Sequence, residues 1–232
     1  MLQGSNHHLI PTKDGSYTFF SPVFQESYHS VNGALEESNH VFIENGLNAI
    51  LPKTDAIHIL ETGMGTGLNL LLTFLKSGEL SLPMHYTALE YYPLTTAMIE
   101  AYRETDPFIR SNMLFFDKIH TSDWETENSL ALNFHFTKKL EKIEDLCAVE
   151  TYDLIYFDAF APDTQPELWT TDVMEKMFRA LKPTGILVTY CAKGQVRRNM
   201  KAVGFSIEKL PGPTGKREMT RAIKPDSFKT IF

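Results

Sequence analysis

Residues 57–75 decide what this chain can fold into. Ile57-His58-Ile59-Leu60 is a short, mostly apolar run that ends on Glu61 and passes into Gly63-Met64-Gly65-Thr66-Gly67. Leu68 to Leu75 then continues as an apolar helical pattern. A buried strand, a glycine turn and a helix in that order open an α/β nucleotide site, where the ligand sits at the carboxyl end of the strand. Glycines suit such a loop because a backbone without Cβ turns sharply and lets a ligand approach closely. The spacing narrows the ligand. A dinucleotide fingerprint is G-x-G-x-x-G; its third glycine would fall at Leu68, whereas the glycine present is Gly67. A loop of G-x-G-x-G with a carboxylate two residues ahead suits a positively charged ligand and disfavours a phosphate. Taken alone, the loop also reads as a tight strand-to-helix turn with no ligand.

The rest of the chain repeats the alternation of strand and helix. Met84 to Leu89 reads as a second strand ending at Glu90, where such folds hold ribose hydroxyls. Pro93 to Tyr102 reads as a helix with proline in its first turn, and 106–127 as mixed and largely helical. Alternation of Leu130, Leu132, Phe134 and Phe136 predicts a third strand. A short charged helix over Lys138–Leu146 follows it. Tyr152 to Phe157 is a strongly apolar strand that delivers Asp158 and Ala159 to Asp163 to the same sheet edge as the glycine loop. Then come a helix over Pro166–Leu181, a turn at Lys182 to Gly185, a strand over Ile186–Tyr190 and a helix over Val196–Val203 stopped by Gly204. Phe205–Leu210 and Glu218–Ile223, with no helix between them, predict an antiparallel closing pair.

The expected fold class is therefore α/β and Rossmann-like: a mostly parallel sheet with helices on both faces, an antiparallel closing strand and an N-terminal β/α extension. A length of 232 residues fits one domain with a small appendage. Residues 1–50 are expected to form an N-terminal extension or lid, and 51–232 the domain that carries the site. Within the extension, Tyr17 to Phe20 predicts a strand, and His40 to Ile43 begins a helix with Gly46 as its C-cap. The segment is dense in Tyr, His, Ser and Glu. It reads either as a wall over the ligand or as a hairpin covering a sheet edge.

No apolar run is long enough to span a bilayer, and Met1 to Ser16 lacks the hydrophobic region of a signal peptide. The two cysteines, Cys147 and Cys191, have neither metal-ligand nor disulfide-framework spacing. The expectation is a reduced, cytoplasmic protein with no metal and no membrane partner. Net charge is −7, yet residues 193–232 hold ten lysines and arginines against three acids, a local +7. Such a segment either contacts phosphates or is a solvated face.

Four stretches carry a family resemblance: Asn32 to Phe42 with its Leu35-Glu36-Glu37 core, the loop Glu61 to Asn69, Asp158-Ala159-Phe160-Ala161-Pro162 with Pro166 to Trp169, and Gly215-Lys216-Arg217-Glu218-Met219. In these the chain resembles the tRNA-modifying methyltransferases of the MnmC/MnmD family, which complete 5-methylaminomethyl-2-thiouridine at the wobble position. The resemblance implies an enzyme that uses S-adenosyl-L-methionine (AdoMet), held by Glu61, Gly63, Met64, Gly65, Thr66, Gly67, Asn69, Glu90 and Asp158. It implies tRNA as the partner, presented through its anticodon loop. It leaves open whether a separate FAD-dependent oxidase supplies the substrate or whether the aminomethyluridine is made directly. It departs from the family at the end of the third strand, where Thr137-Lys138 stands in place of a glycine-aspartate pair expected at the adenine.

The implied chemistry is attack by the primary amine of 5-aminomethyl-2-thiouridine on the AdoMet methyl group. An ammonium has no lone pair, so the amine must lose a proton before it reacts. Alignment and one base are what the protein must add, and Asp158 is placed for the base. A wobble base splayed from its stack needs a pocket, for which Tyr28, Phe160, Pro162 and Trp169 are candidates. Glu36 and Glu37 are candidates for the uracil edge or the amine, and Lys216 and Arg217 for phosphates. Two other readings stay open: an aminopropyltransferase or small-molecule methyltransferase of the same fold, and a non-catalytic tRNA-binding domain.

Overall fold

The computed structural model describes residues 7–50, 55–80 and 82–226. The expected domain boundary after residue 50 and the last basic residue, Lys229, abut or lie outside the described residues. The chain begins with three short antiparallel strands, β1 (His8–Pro11), β2 (Tyr17–Ser21) and β3 (Glu26–Ser27). One continuous helical stretch follows: α1 (Ala34–Ser38), a π-helical segment Asn39–Leu47, and α2 (Asn48–Ile50). The helix expected to stop at Gly46 therefore starts earlier and runs on. Gly46 serves packing: a Cβ there would lie 3.1 Å from both Tyr156 Cε1 and Val188 Cγ2.

The core then runs through β4 (Ile57–Thr62), α3 (Leu68–Ser77), β5 (Met84–Leu89), α4 (Thr96–Thr105), α5 (Pro107–Ser111), α6 (Met113–Thr121), β6 (Glu127–Ala131) and β7 (Phe134–Lys139). It continues through β8 (Tyr152–Phe157), α7 (Thr171–Ala180), β9 (Leu181–Thr189), α8 (Gly194–Ala202), β10 (Ser206–Pro211) and β11 (Glu218–Ile223). Among the described residues these strands form an eight-stranded sheet in the order β10-β11-β9-β8-β4-β5-β7-β6. Pairs β4–β5, β4–β8, β5–β7 and β8–β9 are parallel, while β6–β7, β9–β11 and β10–β11 are antiparallel. This is the mostly parallel α/β sheet with an antiparallel closing pair that the sequence predicts.

Strand alternation builds two cores. Ile57 and Ile59, Tyr86, Phe134, Phe136, Leu154 and Tyr156 face one side and pack on α3, whose Leu68, Leu70, Leu71 and Leu72 are all buried. A helix apolar on nearly every side belongs in a core. Leu60, Leu89, Ile155 and Phe157 face the other side, against Val173, Met174 and Met177 of α7 and Met200 of α8. Sequence order leaves β4 toward β5 on one side and toward β8 on the other. The strand order thus reverses at β4 and β8, and a crevice opens at their carboxyl ends.

Several expected boundaries move. Pro93 precedes α4, which is capped instead by the Thr95 hydroxyl accepting from Met98 N. The single third strand is a hairpin, because Leu132 sits in its turn and is 98% exposed. The charged helix over Lys138–Leu146 does not form: Lys138 and Lys139 finish β7, and a single 3-10 turn covers Ile143–Asp145. The helix from Pro166 divides into a 3-10 turn, Pro166–Trp169, and α7, where Thr170 caps the new start by accepting from Val173 N. Lys182 to Gly185 is an irregular part of β9. Among the described residues no helix is long and apolar enough to cross a membrane.

Candidate active site

The loops that leave β4, β5, β7, β8 and β9 meet residues 24–31 around a cavity of about 400 Å³. The glycine loop is its floor. Gly63 N and Met64 N donate to Leu89 O, and Gly67 N closes a turn on Met64 O at 2.8 Å. Gly63 has φ +84°, and a Cβ there would meet Asp158 O at 2.7 Å. Gly65 has φ +51°, and its Cβ would lie 3.2 Å from the Tyr28 ring. Both positions need glycine for conformation and for space.

Glu90 ties the loop to β5: one carboxylate oxygen accepts from Gly65 N at 3.0 Å and the other from Tyr92 N at 2.7 Å. Burial pushes its proton affinity up, against the pull of these hydrogen bonds. Glu61 lies deeper. Its side chain is fully buried, one oxygen accepts from Asn69 Nδ2 at 2.9 Å, and burial drives it well above the usual carboxylate range. Among the described residues Glu61 Oε2, Asn69 Oδ1 and the Tyr86 hydroxyl have no hydrogen-bond partner.

Asp158 follows β8 directly. Its Oδ2 accepts from Asn69 Nδ2 at 2.9 Å. Its carboxyl is pushed up to about 7, first by burial; Glu37 adds to the rise, while the Asn69 hydrogen bond and Lys216 oppose it. Glu37, from α1, forms a partly buried ion pair with Lys216 and also accepts from Ser30 N at 3.0 Å. The Lys216 ammonium lies 3.9 Å from the centre of the Tyr190 ring, a cation–π contact. The Tyr190 hydroxyl donates to Ala159 O at 2.8 Å. Phe160 completes the wall, with ring centroids 4.7 Å from Phe24 and 5.2 Å from Tyr28.

Of the residues singled out from sequence, Tyr28, Glu37, Gly63, Met64, Gly65, Glu90, Asp158, Phe160 and Lys216 line this cavity. Glu61, Thr66, Gly67 and Asn69 are not among its lining residues, and Glu61 is fully buried. Glu36 points outward and accepts from Thr214 N at 3.2 Å. Pro162 and Arg217 line a shallower groove alongside. Trp169 is core: it is 3% exposed and supports Phe160 from behind, donating from Nε1 to Phe160 O at 2.8 Å. Thr137 and Lys138 lie inside β7, opposite Thr87 and Ala88, and Lys138 donates to His120 O. The segment leaving β7 that lines the cavity is Glu141 to Glu144, so the sequence register placed that strand end too early.

Sequence reasoning missed Tyr190, Glu26 and His29 as cavity residues. Tyr190 had a usable signal, since it follows β9 as Asp158 follows β8. Glu26 reaches across to accept from Ala161 N at 3.2 Å, and His29 bonds Thr66 Oγ1 at 2.9 Å; nothing local in the sequence marks either.

The lining is strongly acidic. Glu26, Glu37, Glu90, Glu141, Glu144, Glu167 and Asp158 are set against Lys142 and Lys216. This balance fits a ligand carrying cationic groups, and the glycine floor leaves the close approach that a Cβ would fill. A sheet-end cavity of this kind, with a G-x-G-x-G floor, suits AdoMet. A family profile described as S-adenosyl-L-methionine-dependent methyltransferase matches residues 105–225, over half the chain, and the chain belongs to that family. AdoMet is its cofactor.

The relatives are more particular. The tRNA 5-methylaminomethyl-2-thiouridine biosynthesis bifunctional protein MnmC of Chromobacterium violaceum is 30% identical, over 96% of this chain and 36% of that protein. The protein of the same name from Magnetococcus marinus is 32% identical, over 89% of this chain and 32% of its own. The chain thus spans about a third of the length of these curated relatives. The crystal structure of MNMC2 from Aquifex aeolicus matches with a TM-score of 0.75 at 25% identity, covering 97% of this chain and 72% of that one.

Proposed function

We propose that this methyltransferase acts on the amine of 5-aminomethyl-2-thiouridine at the tRNA wobble position, giving 5-methylaminomethyl-2-thiouridine. The names of the relatives support the substrate. The observation that carries the chemistry is Asp158, a carboxyl beside the glycine loop whose proton affinity is centred at about 7. AdoMet, when bound, supplies a methyl group on a sulfonium that departs as a neutral thioether. Gly63, Met64, Gly65 and Glu90 are the residues that would hold it. Asp158 takes the proton that the amine must lose, and a base with pKa near the working pH is the effective one. Glu37 and Asp158 draw a cationic aminomethyl group into the cavity; the Lys216 ammonium opposes its charge and favours the neutral, nucleophilic amine.

Tyr28, Phe24 and Phe160 offer aromatic faces for a base splayed from the anticodon loop. Arg217 and Lys193 line the adjoining groove and would contact phosphates on either side of that base, Lys193 by exchanging its ion pair with Asp163. Residues 24–31 act as a wall over the acceptor side, and a separate FAD-dependent oxidase is one supplier of the aminomethyl group. The test is transfer from labelled AdoMet to bulk tRNA from cells lacking this protein, followed by nucleoside analysis. Label in 5-methylaminomethyl-2-thiouridine is the expected result. Cofactor binding with no label in tRNA would sink the substrate and point to small amines.

A further inference from the structure

Asn69 stands in the first turn of α3, beneath the glycine loop, and is 2% exposed. Its amide nitrogen donates one hydrogen to Glu61 Oε1 and the other to Asp158 Oδ2, each at 2.9 Å. Two carboxyl groups face one NH₂; with Asp158 ionised this orientation is the favourable one, because a reversed amide would turn its oxygen on the Asp158 carboxylate. Its backbone is held as well, because Asn69 O accepts from Thr73 Oγ1 at 2.7 Å. Glu61 lies on β4 and Asp158 directly follows β8, its parallel neighbour, and the amide bridges them.

We propose that Asn69 is the positioning residue of this site: its amide, anchored on Glu61, fixes the Asp158 carboxylate and stabilises its ionised form. Its catalytic meaning rests on the reading of Asp158 as the proton acceptor. The groups that face Asp158 come from every side. Glu37 on α1 and burial favour the protonated acid, whereas Lys216, between β10 and β11, and Asn69 favour the carboxylate. Tyr190, after β9, feels the Asp158 charge, as do Glu61 on β4 and Tyr86 on β5; Glu90 also acts on Glu61. Glu61 is itself driven toward its neutral acid by burial. Asn69 therefore joins a carboxyl that burial biases toward its neutral acid to the one proposed to gain and lose a proton.

The test needs no cofactor. In the cofactor-free protein labelled with ¹³C at aspartate carboxyls, the Asp158 resonance is assigned with Asp158→Asn and titrated. Asn69→Ala moves its midpoint upward by about one pH unit. Glu61→Gln, which keeps an acceptor oxygen for the amide, leaves the midpoint in place, and Glu61→Ala shifts it part of the way. If Asn69→Ala does not fold, the two Glu61 variants carry the test. In turnover, Asn69→Ala loses kcat at neutral pH, recovers it toward pH 9, and keeps AdoMet affinity. An unmoved midpoint, or AdoMet affinity lost in step with turnover at every pH, overturns the proposal. If Asp158→Asn keeps full turnover while Asn69→Ala still moves the midpoint, the base assignment fails and the positioning role stands.

Discussion

In the proposed reaction a carboxyl group has to take up one proton at neutral pH, and burial pushes the Asp158 carboxyl up to about 7, which fits that role. Replacing it with asparagine is expected to lower kcat by about 10²–10⁴-fold, with AdoMet affinity read separately by calorimetry. The same burial leaves a mark on stability. The folded carboxyl holds its proton up to about 7, against 3.8 for an ordinary aspartate. Across that window the folded chain binds a proton that the unfolded chain has released, so this group lowers stability as pH rises and has no effect below it. His29 and His120 act in the opposite sense. Burial lowers both to about 4, so they cost stability as pH falls below the ordinary histidine value of 6.5. The difference between wild type and Asp158→Asn isolates the aspartate. In thermal melts of the cofactor-free protein, the variant is expected to be the more stable at pH 8 and equal near pH 3. Trp169 shows why residue type alone misleads. Tryptophan beside the D-A-F-A-P segment suggests a base-stacking platform, yet its indole N–H is spent on the Phe160 carbonyl. Trp169→Phe is expected to cost about 1–3 kcal/mol in denaturant unfolding through that orphaned carbonyl.

At the scale of elements, the glycine loop is the clearest case of sequence dictating structure. Gly63→Ala places a Cβ 2.7 Å from the Asp158 carbonyl at a left-handed φ. It is expected to abolish AdoMet binding by calorimetry while leaving far-ultraviolet circular dichroism near wild type. Strand β4, the loop and α3 were legible because an apolar run, glycines and a second apolar run follow each other without ambiguity. Other elements were hidden for physical reasons. The hairpin of β6 and β7 keeps period-two alternation through its turn, so Leu132 looked like strand interior. Lys138 and Lys139 looked like a helix start because charged residues at a strand end carry no periodic signal. Gly46 looked like a cap because its true reason, contact with Tyr156 and Val188, lies far away in sequence. Gly46→Ala is expected to cost about 1–3 kcal/mol by overpacking, which a stop at that residue would not produce.

Over the whole molecule, the mostly parallel sheet, its antiparallel closing pair and part of the cavity wall were legible, while the contacts that seat the N-terminal strands were not. The N-terminal strands reach the core through tertiary contacts: Tyr17 N donates to Asp106 Oδ2 at 2.7 Å, and Phe19 lies 5.9 Å from Tyr102. Local pattern cannot announce such contacts. The basic C-terminal segment also changes meaning. Arg197, Arg221 and Lys224 are paired with Glu218, Glu208 and Glu150, and Lys216 with Glu37, so much of that charge braces the closing strands and the cavity. Arg217 lines the groove beside the cavity, where the proposed phosphate contact would fall. Arg217→Ala is expected to weaken tRNA binding and to lower the slope of log affinity against log salt by about one. The central claim is that Asp158 takes the proton of a tRNA-borne amine during methyl transfer. Its most direct test is the single-turnover rate of methyl transfer to aminomethylated tRNA across pH 5–9, for wild type and Asp158→Asn. The wild-type rate should rise tenfold per unit and level off near pH 7, and the variant should be slow with that limb gone. An Asp158→Asn profile that keeps both the wild-type rate and the inflection near 7 would contradict the account.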